Sequence, residues 1–172
     1  MQMLDKGTRT RNVFQMSDAL ESLGAALGTG GGAELSTMQL QSTAANLAPS
    51  IALLADAALN PAFPADQFMI EKQRRVAQLG QERANPTGLA MRIMPTILYG
   101  ANHPYGKSAL GTDASVAGIT REDLVQWHAN WFKPGNATII VSGDTTLAKL
   151  VPALEASFGS WKGGAAPAVT IP

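Results

Sequence analysis

"HPYGKSALGTDASVAGITREDLVQWHANWFKPGNATIIVSGD", residues 103–144, is the stretch whose reading decides the fold. It opens as a loop, because Pro104 lacks an N–H and Gly106 and Gly111 punctuate the run. Thr120 and Asp123 then make a T-x-x-D capping pattern at the head of "REDLVQWHANWF", and Leu124, Trp127 and Trp131 fall on one face of that helix. "KPGN" is a turn. "ATIIVSGD", from Ala137, is an apolar run of strand length and is expected to be a buried strand.

Upstream, "IEKQRRVAQLGQERANP" (70–86) is a polar helix opened by "PADQF" and stopped by a proline. "TGLAMRIMPTILYG" reads as a further helix, bent or broken at Pro95. "NLAPSIALLADAALN" is a short buried helix, with Pro49 tolerated in its first turn and Asn60-Pro61 ending it. "STMQLQST" alternates Met38 and Leu40 with Gln39 and Gln41, as a half-buried strand does. Before it, "GTGGGAE" reads as a flexible bend. Val13, Phe14, Met16, Leu20 and Leu23 recur at helical spacing, with Gly24 at the C-terminal cap.

Downstream, "TLAKLVPALEASFGSW" is an amphipathic helix that Pro152 can kink, and from Lys162 the composition becomes that of a linker. The expected organisation is one domain over 1–161 and a tail over 162–172. Two or three clear strands among so many helices are too few for a sheet unaided, so further strands are expected beyond one end.

The 172 residues suffice for one domain with a real core. Thirteen basic and thirteen acidic side chains cancel, and no basic stripe supports nucleic-acid binding or docking on an anionic membrane. No apolar run approaches the length of a membrane-spanning segment. With no cysteine there are no disulfides and no thiolate metal sites. The first residues, "MQMLDKGTRTRN", carry charges without the apolar run of a signal peptide.

Several motifs invite a catalytic reading and fail it. "GTGGGA" (28–33) satisfies G-x-G-x-x-[GA], yet a dinucleotide site needs a strand before the glycines and a helix after, and here the order is reversed. "GANHPYGKS" (100–108) ends like a phosphate loop, but the glycines are one residue too far apart and Pro104 deletes an N–H. His103 and His128, the two histidines, lack the spacing of a metal pair and read as structural or surface residues. No G-x-S-x-G elbow is present. Asn136-Ala137-Thr138 is a formal glycosylation sequon, discounted because it enters the expected strand. The chain carries no self-contained active site.

Four segments resemble the insulinase/pitrilysin/mitochondrial-processing-peptidase family of zinc peptidases: "LDKGTRTRNVFQMSDALESLGA" (4–25), "NPAFPADQFMIEKQRRVAQLGQERANP" (60–86), the run 98–144 that contains "HPYG" and "LGT", and "ASFGSW" (156–161). The resemblance implies an α+β half-domain, an antiparallel sheet with helices packed on one face, whose first strands lie upstream of residue 1. Facing halves of such proteins enclose a peptide-holding chamber. Active halves carry an inverted H-x-x-E-H motif, which supplies two zinc-ligand histidines and a general-base glutamate, and a later helix adds a glutamate ligand. Counting back from Lys6-Gly7-Thr8 puts Gln2 at the second histidine and Met1 at the general base; aligning "EKQRRVAQL" with the later helix puts Gln78 at the third ligand. Glutamine offers zinc only a neutral carbonyl. The resemblance therefore implies a non-catalytic half without zinc of its own, paired with a zinc-bearing catalytic half in the same polypeptide or a separate subunit, with a peptide substrate in the shared chamber. Two alternatives stay open: a catalytic half whose histidine motif lies outside this chain, with Glu71 or Glu82 as ligand, or an architectural subunit like the respiratory-complex relatives.

Overall fold

The computed structural model describes residues 1–169, and their order is α1 (Val13–Ser22), β1 (Ala26–Gly31), β2 (Ser36–Gln41), α2 (Leu47–Leu59), α3 (Ala65–Ala84), α4 (Pro86–Tyr99), α5 (Asp113–Gly118), α6 (Arg121–Trp131) and α7 (Leu147–Phe158). Side chains set the helix starts. Asn12 accepts from the Gln15 N–H while the Gln15 side chain accepts from the Asn12 N–H, a complete capping box for α1. Thr120 and Asp123 make the expected box for α6, and Thr112 with Ser115 makes another for α5. Asn85 accepts from the N–H groups of Thr87 and Gly88, and Pro86 is the first residue of α4, so one Asn-Pro pair both ends α3 and starts α4.

β1 and β2 form an antiparallel hairpin in which Leu27 faces Leu40 and Thr29 faces Met38. Met38 and Leu40 are half-buried and Gln39 and Gln41 exposed, as the alternation requires. Helices α1 and α2 pack on this hairpin, giving the α+β arrangement of an antiparallel sheet covered by helices. The core has two centres. Met3, Leu4 and Phe63 form one, and Met16, Leu53 and Ala57 form the other, with Met38 packed against both.

Asp56 of α2 ties the "KGTRTRN" segment to the body. Its carboxylate accepts from Thr8 Oγ1 at 2.7 Å, Thr10 Oγ1 at 2.8 Å, Arg11 Nη1 at 2.9 Å and Asn60 Nδ2 at 3.3 Å. Phe63, buried at the end of the α2–α3 connection, is held at φ 46°, a conformation costly for a bulky side chain. Burial of its ring and donation from Arg121 to the carbonyls of Phe63 and Ala62 hold it there.

Three expectations need correction. The glycine-rich stretch is ordered strand rather than flexible bend: Gly28, Gly30 and Gly31 lie in β1, paired with Gln39, Thr37 and Ser36. A Cβ at Gly31 would sit 2.9 Å from Met1 Cγ, so close approach and not looseness explains that glycine. Of the two alternatives at Pro95, the break is excluded: α4 continues through the proline to Tyr99. "ATIIVSGD" is not a buried strand: residues 137–144 join no ladder and are exposed, Ile140 by 89%. A strand exists through its ladder, and none of the described residues supplies a neighbour there. In the tail, residues 162–169 carry no helix or strand, and the last three residues assigned to it lie outside the described residues.

Candidate functional site

Helix α3 carries the polar face on which a metal ligand is expected. It has a single buried residue, Leu79, while Arg75 and Gln78 are half-buried. The chain's first residues fold against it. Gln2 is exposed and its Oε1 accepts from Arg75 Nη2 at 3.1 Å. Arg75 and Gln78 are three residues apart, about 4.5 Å along the helix axis and on neighbouring parts of one face. The structure thus ties Gln2 to α3 one turn from Gln78. Met1, at the expected base position, packs on the Met3–Leu4–Phe63 cluster.

The donors at these positions do not fit a zinc ion. Gln2 gives its carbonyl to a guanidinium, Gln78 is neutral, and a thioether cannot act as a general base. The carboxylates on either side are engaged as well. Glu71 is ion-paired with Arg74, and Glu82 with Arg92 at 2.6 Å. Arg92 also donates to Ser108 Oγ at 3.3 Å and to the Gly111 carbonyl, so it anchors the 108–112 loop to the helix pair. Among the described residues, no three His, Asp or Glu side chains gather where they could hold a metal.

The two histidines sit in separate surroundings. His103 caps the Pro104–Gly106 turn, where Nδ1 accepts from the Tyr105 N–H, and it stacks on Tyr99. Tyr105 in turn donates to Glu34 at the tip of the β1–β2 hairpin. A Cβ on Gly106 would fall 1.9 Å from the Gly100 carbonyl, so this turn admits only glycine. His128 of α6 places Nε2 2.7 Å from the Ala58 carbonyl, stacks on Phe132 and meets Phe63 edge-on. Burial pushes its pKa below the ordinary 6.5, helped by the charges of Arg9 and Lys133 and opposed by the Ala58 hydrogen bond. The neutral ring with its proton on Nε2 is the form that fits. The Asn136 sequon, set aside for entering a buried strand, is in fact exposed, with Asn136 Nδ2 donating to the Trp131 carbonyl.

Sequence reasoning had no access to the Asp56 hub or to the arginine contacts of Gln2 and Glu82. Each joins residues ten or more positions apart with no periodic signature.

Comparison with known proteins agrees with this architecture. The family model described as "Peptidase M16 inactive domain" matches residues 118–172. An uncharacterized zinc protease of Mycobacterium leprae is 24% identical over 158 residues, 92% of this chain and 35% of that protein. A probable mitochondrial-processing peptidase subunit beta of Schizosaccharomyces pombe is 26% identical over 157 residues, 90% of this chain and 34% of that protein. The crystal structure of a peptidase M16 inactive domain from Pseudomonas fluorescens superimposes with a TM-score of 0.90 at 27% identity, covering 98% of this chain and 41% of that one. The chain spans roughly a third of the length of the relatives it matches. The α+β core, the "HPYG…LGT" loop, the capped α6 and these likenesses together support the resemblance of this chain to a half-domain of the insulinase, pitrilysin and mitochondrial-processing-peptidase family.

Proposed function

We propose that this domain is a non-catalytic half of a two-half zinc peptidase. It closes the peptide chamber opposite a catalytic half and binds no zinc itself. The observation that carries the reading is Arg75 donating to Gln2 one helical turn from Gln78. Where an active half needs two anionic or imidazole ligands, this one has two amides and a permanent cation. The alternative in which Glu71 or Glu82 serves as ligand is opposed by their pairing with Arg74 and Arg92. The zinc belongs in the catalytic partner, which would supply the Lewis acid and the activated water; this half would shape and cover the cavity that retains the peptide. Among the described residues no helix is long and apolar enough to cross a membrane.

Elemental analysis of the purified chain, after dialysis against a weak chelator, tests the reading. Well under one zinc per chain is expected. One tightly held zinc would overturn it and turn attention to His103 and His128, to be substituted one at a time.

A further inference from the structure

Between Gly106 and Thr120 the chain is held to the helices beneath it mainly by side-chain cations. Both ends are fixed. Thr96 Oγ1 donates to the Gly106 carbonyl at 2.6 Å, and Arg121, just past the α6 cap, donates to the Phe63 and Ala62 carbonyls. In between, Arg92 of α4 donates to Ser108 Oγ and to the Gly111 carbonyl, and Arg83 of α3 pairs with Asp113 at 2.6 and 3.2 Å. Lys72 of α3 donates to the Ala117 and Ile119 carbonyls at 2.7 and 3.1 Å. Apolar attachment is slight, because Val116 is the one buried residue from 107 to 119. A cavity of about 250 Å³, lined by Leu79, Arg83, Arg92, Thr112 and Asp113, stands where close packing would otherwise join this segment to α3.

We propose that residues 107–119 are a strap that opens and closes as one unit while the helices beneath stay folded, and that salt favours the open form. The unity follows from the length of α5. Its six residues are too few to stay helical without support, so losing the cations also loses the bonds from the Val116 and Ile119 N–H groups to the Thr112 and Ser115 carbonyls. The salt dependence follows from exposure. The Arg83 and Asp113 side chains are 54% and 55% exposed, so dissolved ions screen their attraction. With so little apolar surface buried, the strap belongs to the low-stability end of the fold. Its opening bares the Leu79 side of α3, next to Gln78, and leaves Arg83 without its carboxylate.

The inference does not depend on the zinc reading, and its test is separate. Amide exchange of the full chain at pH 7, resolved residue by residue by NMR, should run on the order of 100-fold faster at Val116 and Ile119 than in the centre of α2. Raising NaCl from about 0.05 to about 1 M should speed it roughly fivefold more in the strap and leave α2 unchanged. Lys72→Gln removes bonds only at Ala117 and Ile119, yet it should speed exchange at Gly111 as much as at Ile119. Because the chain has no cysteine, Val116→Cys places a single thiol under the strap. A thiol reagent should modify it more slowly than the exposed thiol of Ala114→Cys at low salt, and the gap should narrow at high salt. Exchange in the strap at the rate of α2, or exchange and labelling indifferent to salt, would overturn the proposal. So would an effect of Lys72→Gln confined to residues 117–119, which would mean that the two ends fray separately.

Discussion

Replacing Asp56 by alanine removes one acceptor and frees four donors: Thr8, Thr10, Arg11 and Asn60. The side chain is 13% exposed, so the two short hydroxyl bonds are made largely out of water, whereas Arg11 is 39% exposed and contributes little. A hydrogen bond to a charged group contributes about 1.5–3 kcal/mol. Thr8 Oγ1 keeps the N–H groups of Thr10 and Arg11 as donors, which tempers the loss. The net cost should be about 3 kcal/mol, a sizeable part of the roughly 5–15 kcal/mol of a typical domain. Urea unfolding followed by far-UV circular dichroism at pH 7 reads it as a lower midpoint at unchanged slope. The pH dependence supplies a second check. Burial alone would raise the Asp56 pKa, but the hydrogen bonds from Thr8, Thr10 and Asn60 and the charge of Arg11 outweigh it and hold it below 3.8. A depressed carboxyl stabilises the fold above its unfolded pKa and loses that contribution as pH falls through the folded one. The gap between wild type and Asp56→Ala should therefore narrow below about pH 4. A gap under about 0.5 kcal/mol at pH 7, within the range of ordinary surface substitutions, would refute the claim that Asp56 is the clamp.

His128 works in a different window. Its folded pKa lies below 6.5, so the stabilisation from the neutral ring is complete above pH 6.5 and falls as pH drops through it; the urea midpoint should decline between pH 7.5 and 5.5, and His128→Asn should flatten that slope. Gly106→Ala should be strongly destabilising, by about 2 kcal/mol or more, because the Gly100 carbonyl occupies the Cβ position; thermal unfolding measures it, and a wild-type melting temperature would contradict the tight geometry of this turn. Gln2→His with Gln78→Glu should still bind zinc weakly in competition with a chromophoric chelator, and adding Arg75→Ala should tighten binding on the order of tenfold. Equal affinity of the double and triple variants would deny Arg75 the role given to it.

What the sequence made legible was local. The T-x-x-D box of α6, the Asn-Pro break between α3 and α4 and the alternation at Met38 and Leu40 are each written within a few adjacent residues, and each is found in the structure. The errors share the opposite property. "ATIIV" has the composition of a strand, but a strand needs a neighbouring ladder, which no short window of sequence specifies. The glycines of β1 carry the composition of a bend, yet their order comes from β2 opposite and from Met1 above. At the candidate site, the positions of Gln2 and Gln78 came from family resemblance, whereas the contact that gives them meaning, Arg75 to Gln2, spans 73 residues.

A zinc site and a guanidinium clamp meet the same mechanical need. In an active half the ion would link the motif helix to the ligand helix, and a half without it must hold those elements together by other means. On the proposed reading, the means are these. Arg75 bonds Gln2 to α3, the Asp56 hub fastens residues 8–11 to α2, and Met3 and Leu4 are sunk against Phe63 between these two attachments. Arginine suits the position because its charge is permanent and its five donors suit neutral carbonyls as well as carboxylates, whereas zinc would leave two amides as poor ligands. The polar face of α3 is therefore not an idle remnant. Its Arg75 holds the first residues of the chain, and its Glu82 holds Arg92 of α4 and through it the 108–112 loop. On the function proposed above, a half built this way would keep its shape whatever the metal supply, which is the property a chamber wall needs when its partner does the chemistry.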